Sequence, residues 1–176
     1  MNRRFFLVTC GLFILLGQNL FAQPKNQAQG SLVLGESGKF EVKDCMILLL
    51  PDRSKDTKIL TVLLTDAPLT GQRRDSLKAN PDSAVNIDHA KIQLRVDAKA
   101  SSLSLKGINE AYFGYTRGSK FGSGLLVVKP ALEKGFKLQV DGKLEQGQPI
   151  KILYEFTKPG PTPQGKFECS GPLVVP

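Results

Sequence analysis

Apolar and polar residues alternate along much of this chain after residue 30. Ile92, Leu94 and Val96 interleave with Gln93, Arg95 and Asp97. Phe136, Leu138 and Val140 interleave with Lys137 and Gln139, and Ile150, Ile152, Tyr154 and Phe156 follow the same rule. A period of two sends successive side chains to opposite faces of a strand, so these segments predict half-buried strands. Ser31–Leu34, Ile59–Thr65, Leu103–Lys106, Tyr112–Tyr115, Leu125–Val128 and Lys166–Cys169 are further strand segments. Phe40–Lys43 alternates and then runs into the unbroken apolar stretch Cys45–Leu50. That change predicts a strand entering the interior and covered on both faces.

Gly, Pro, Asp and Ser punctuate these runs, as turns require. Gln72–Ala79 is the one helical segment predicted outside the N-terminus, and Asn80-Pro81 ends it. Asp141-Gly142 has hairpin-turn composition. A two-residue turn there would set Leu144 opposite Gln139 and mix the faces, so a longer connection from Asp141 to Pro149 is expected. It would pair Phe136–Val140 with Ile150–Phe156. The sum is an all-β domain, a single antiparallel β-sandwich or barrel of about eight short strands with one short helical segment. Leu48, Val62, Leu94, Val127, Leu138 and Ile152 are its expected core.

Residues 1–22 break the pattern. Arg3 and Arg4 precede an apolar run from Phe5 to Leu16, and Ala22 leads into polar Gln23–Gln27. That is the layout of a secretory signal peptide cleaved near Ala22. The run is shorter than the roughly 20 apolar residues a bilayer span needs, so no stable membrane span is expected after cleavage. Cys10 is no lipidation site on this reading, because the greasiest part, Leu12–Leu16, follows it. The domain plan is therefore 1–22 signal peptide, 23–29 flexible leader and 30–176 β-domain. An exported bacterial product is implied, periplasmic or secreted, with no Asn-x-Ser/Thr sequon anywhere.

Export changes the meaning of the charge and the cysteines. Losing Arg3 and Arg4 lowers the formal charge from +8 to +6, with positive residues dispersed along the chain. Anionic envelope components suit that balance better than nucleic acid. Cys45 and Cys169 remain after cleavage, and an oxidising compartment predicts a disulfide between them, with two buried thiols as the alternative.

Candidate chemistry is sparse. His89 is the sole histidine, too few for a zinc site with two distant cysteines. Asp88 and His89 are neighbours and point to opposite strand faces, so they form no relay by themselves. Phe121 and Leu125 stand where a nucleophile elbow around Ser123 would need glycines. Gly118-Ser119-Lys120 lacks the order of a phosphate loop. Asp52, Asp56, Asp66 and Asp82 lack calcium-loop spacing. No catalytic residue, metal ligand or cofactor is assigned. The best binding candidate is Tyr112, Tyr115, Arg117 and Lys120, where aromatic and cationic groups surround Gly114 and Gly118.

Gly30–Val33, Leu63–Leu69 and the tail Phe167–Gly171 resemble small exported bacterial β-domains of unknown function. The resemblance implies the fold and the compartment, and no activity. The expected role is an exported, non-catalytic binding domain for an anionic polymer or a protein of the envelope. An envelope structural or assembly accessory is the alternative, followed by a hydrolase with a dispersed carboxylate site.

Overall fold

The computed structural model describes residues 25–128, 135–157 and 163–176, so the expected signal peptide at 1–22 lies outside the described residues. Ten strands occur: β1 (Gln27–Val33), β2 (Lys39–Val42), β3 (Asp44–Pro51), β4 (Thr57–Thr65), β5 (His89–Asp97), β6 (Ile108–Arg117), β7 (Lys120–Val128), β8 (Phe136–Gly142), β9 (Pro149–Phe156) and β10 (Gln164–Val174). One α-helix, α1 (Gly71–Ala79), and three 3-10 turns complete the described elements.

The strands make one mixed, open sheet in the order β2-β1-β10-β3-β4-β5-β6-β7, with β9 also on β10 and β8 on β9. β10 is the centre. Residues 164–170 pair antiparallel with β1, and residues 165–172 pair antiparallel with β9. Where β1 stops, Leu173 and Val174 pair in parallel with Ile47 and Leu48 of β3.

This departs from the expected fold in three ways. There are ten strands rather than about eight, one ladder is parallel, and the sheet does not close into a barrel. The differences have local causes. Gln27–Gln29, expected in a flexible leader, pair with Glu168–Ser170. Phe40–Leu50 divides at Lys43, whose amide donates to Thr65 O at 2.9 Å. The chain thereby leaves its pairing with β1 and begins one with β4. Leu103–Lys106 is not a strand: Leu103 N donates to Gly142 O, and Leu105–Gly107 turns as a 3-10 helix. Gly122–Gly124 lies within β7, and the β6–β7 turn is only Gly118-Ser119. β8 pairs with β9 as expected once a two-residue turn at Asp141-Gly142 is set aside, and its register sets Phe136 on Phe156, Leu138 on Tyr154 and Val140 on Ile152.

Both arms of the sheet feed one core. Leu32, Phe40, Leu138, Ile152 and Phe167 share it with Ile47, Val62, Ile92, Leu94 and Phe113. Burying each such side chain stabilises by about 1.5–3 kcal/mol. Tyr154 stacks on Phe167 at 5.2 Å and meets Phe136 edge-on at 5.5 Å. Its hydroxyl donates to Pro163 O at 2.6 Å, which satisfies the polar tip inside the core. Burial pushes the Tyr154 phenol well above its ordinary value. Val127 was expected here, and its side chain lies outside the described ones.

β1 and β10 touch at Gly30 and Gly165. Gly30 has φ +129°, and a Cβ there would stand 2.2 Å from Lys166 O. Only glycine fits such a backbone approach.

The Cys45–Cys169 disulfide is absent: both residues are buried free thiols. Cys45 Sγ turns to the carbonyls of Gln27 (3.4 Å) and Ser170 (3.7 Å). The neighbouring Cys45 thiol, followed by burial, pushes Cys169 up.

Candidate functional site

Alternation in β3–β6 gives the sheet a second face, opposite the main core. Leu48, Thr61, Gln93 and Tyr112 lie across it in one row. Leu63, Lys91 and Gly114 form the next row, and Thr65, His89, Thr116 and Phe121 the one after. On the β3 side this face is apolar and α1 covers it. Thr70 caps the helix by accepting from Arg73 N, and Leu77 buries against Met46, Leu48 and Leu63. The unbroken apolar run at Cys45–Leu50 is thus explained by cover on both faces.

An ion pair fixes α1 in place. Asp44 accepts from Arg74 Nη2 at 2.6 Å on both oxygens and from Leu69 N at 2.8 Å. Arg74 Nη1 also donates to Cys45 O at 3.0 Å. After α1 the 3-10 turn Pro81–Asn86 crosses toward β5, where His89 holds it. His89 is 3% exposed, with Nδ1 2.9 Å from Ile87 O. Burial lowers its pKa, the Lys91 charge adds to this, and the backbone carbonyls of Ile87 and Ala84 oppose it, with the Asp88 charge. The imidazole is occupied as a structural post and is not presented as a base.

The cover stops there, and a groove of about 310 Å³ opens between the Pro81–Asn86 turn and the β6–β7 hairpin. Leu48, Leu50, Leu63, Pro81 and Ala84 line its apolar side. Thr61, Lys91, Gln93 and Thr116 supply polar groups, and Phe121 lines the far side. Phe121 is 83% exposed, the most exposed of the large apolar side chains described. Lys91 lies over Gly114, where a Cβ would approach its stem to 3.0 Å. Glycine at 114 leaves that stem room to lie flat on the sheet. No carboxylate among the described residues pairs with Lys91.

The four residues singled out in sequence do not converge. Tyr112 is on the second face, its hydroxyl donating to Glu110 at 2.6 Å and its ring 5.7 Å from the Arg95 guanidinium. The Glu110 hydrogen bond, ahead of burial, raises its pKa. Tyr115 packs against the main core beside Phe113, at 6.4 Å, and is the one of the four that also lines the groove. Arg117 Nη1 donates to the carbonyls of Ser37 and Lys39, and Lys120 Nζ lies 3.5 Å from Glu36 O. Both fasten the hairpin to the turn before β2. Gly118 N donates to Asp88 at 2.7 Å from the other side.

A carboxylate pair does form, Asp52 with Glu110, and Arg95 joins them. Arg95 Nη1 is 2.5 Å from Glu110, and its Nε is 2.9 Å from Asp52 without an aligned hydrogen bond. The Thr57 hydroxyl donates to Asp52 at 2.6 Å and, as the largest cause, holds its carboxyl below the usual range against burial. Both acids are tied to cations and hydroxyls, as in a clasp between the β3–β4 turn and β6.

Sequence reasoning missed Lys91 and Phe121. The usable signal was parity: Lys91 and Gln93 alternate with Ile92, so they had to share a face with the outward half of Cys45–Leu50. Among the described residues no group of three His, Cys, Asp or Glu is placed to hold a metal ion, and no helix is long and apolar enough to cross a membrane. No family model, no curated protein and no solved structure matches this chain.

Proposed function

We propose that this chain is an exported, non-catalytic binding domain that works in the periplasm or at the cell envelope and holds an anionic polymer or a protein. On this reading residues 1–22 are removed after Ala22, and the two arms of the sheet face each other as the layers of a β-sandwich. The resemblance to small exported bacterial β-domains belongs to the same proposal. The observation that carries it is the groove on the second face, where an exposed aromatic, apolar groups and a cation with no acidic partner among the described residues meet. Exposed apolar surface rimmed by polar groups marks interaction sites.

The test starts from the full-length sequence produced in bacteria. Intact mass of the recovered protein reads cleavage after Ala22. The recovered protein and its Phe121→Ser variant are then immobilised and challenged with bacterial envelope extract. Material retained by the parent and lost with Phe121→Ser supports the proposal. Equal retention by both, or uncleaved protein left in the cytoplasm, overturns it.

A further inference from the structure

We propose that the groove takes the C-terminal end of a partner polypeptide, with the terminal carboxylate on Lys91 and an apolar last side chain against Phe121. This inference rests on the binding reading above and names the ligand of the same groove.

Size comes first. About 310 Å³ is the space of roughly ten waters at ~30 Å³ each, enough for about two residues of extended chain. That suits a chain end better than a long polymer segment. Charge comes second. Lys91 is the cation lining this groove and has no acidic partner among the described residues. A single point charge fits a single carboxylate, and a charge-assisted hydrogen bond there would be stronger than a neutral one. The stem is laid across Gly114, which places the end of Lys91 on the β6 side of the groove.

Polar complement decides between a peptide and a simple amphiphile. Thr61, Gln93 and Thr116 also line the groove, and Gln93 Nε2 reaches Thr61 Oγ1 at only 3.4 Å. A peptide brings amide groups for these side chains. An alkyl carboxylate would bury them without partners, which is unfavourable. Phe121 then receives the last side chain, and an exposed ring gains most from being covered. Capture of a chain end by its charge is an established recognition mode.

The experiment uses the recovered protein and fluorescently labelled, N-acetylated Ala-Ala-Leu-Leu peptides in two forms, free acid and C-terminal amide. Anisotropy should show saturable 1:1 binding of the acid and about tenfold weaker binding of the amide. Lys91→Gln should bring the acid down to the level of the amide and leave the amide unchanged, while Lys91→Arg keeps the difference. Phe121→Ser should weaken both forms by the same factor. Melting curves like the parent's confirm that the variants fold. Equal affinity for acid and amide overturns the proposal, as does tighter binding of decanoate than of the acid peptide. Envelope material that depends on Phe121, combined with no binding of the acid peptide, would leave the binding domain standing and remove this ligand.

Discussion

Replacing Asp44 with alanine should destabilise the fold by about 2–5 kcal/mol. The figure follows from what the carboxylate holds. Leu69 N donates to it at 2.8 Å, and losing that partner strands a part-buried donor at about 1–3 kcal/mol. Arg74 donates to both oxygens at 2.6 Å, with side chains 20% and 11% exposed. Water can reach Arg74 in part, so its loss is set at about 1–2 kcal/mol rather than the 3–5 of a fully enclosed pair. For a domain of this size the melting temperature should fall by roughly 5–15 °C. Asp44→Asn keeps an acceptor for Leu69 and should lose about half as much. Urea unfolding followed by circular dichroism measures the difference at constant m. A cycle with Arg74→Met should give a coupling of about 1 kcal/mol or more. Additive single changes, or an Asp44→Ala loss below about 0.5 kcal/mol, would refute the claim that this pair anchors α1.

Three further outcomes are expected. His89 has a lowered pKa because it is buried, so its neutral form is the folded one. Stability should be fully present above about pH 6.5 and lost as pH falls through the folded value, and His89→Gln should flatten that part of a urea-midpoint profile. An unchanged slope would place the acid sensitivity elsewhere. Cys45 and Cys169 should resist alkylation in the folded protein and both react in denaturant, with no mass change on reduction. A 2 Da gain on reduction would contradict the free thiols. Gly30→Ala should destabilise by more than about 3 kcal/mol, because φ is +129° and the new Cβ meets a carbonyl at 2.2 Å. A stable Gly30→Ala protein would mean that β1 and β10 can separate there.

The strands with clean alternation were readable because one face of each is buried and the other is not. β5, β8 and β9 are of this kind, and the face argument also ruled out a two-residue turn between β8 and β9. Two segments defeated it. β10 continues through Gly171 and Pro172 to Val174, residues that read as a strand end, because β9 and β3 supply pairing there. Leu103 is buried and flanked like a strand residue, yet its amide goes to Gly142, and a 3-10 turn follows. The groove was less legible than the fold. Its residues come from β3, β4, β5, β6 and β7 and a 3-10 turn, and its width depends on where the cover from α1 ends. The Tyr112–Lys120 segment drew notice for composition, but strand parity sends Tyr112 and Tyr115 to opposite faces.

The central place of β10 has a consequence for how the chain is made. A ribosome delivers β1 and β2 first and β10 last of the ten strands. β1 spends nearly the whole of synthesis without its main partner, and β9 emerges only shortly before its own. Local pairs such as β3–β4 or β6–β7 can form as they appear, but the joint that unites the two arms must wait for β10. Folding is therefore expected to be slow, governed by long-range pairing. Until that moment the nascent polypeptide stays open enough to be threaded, bound by a chaperone or cut.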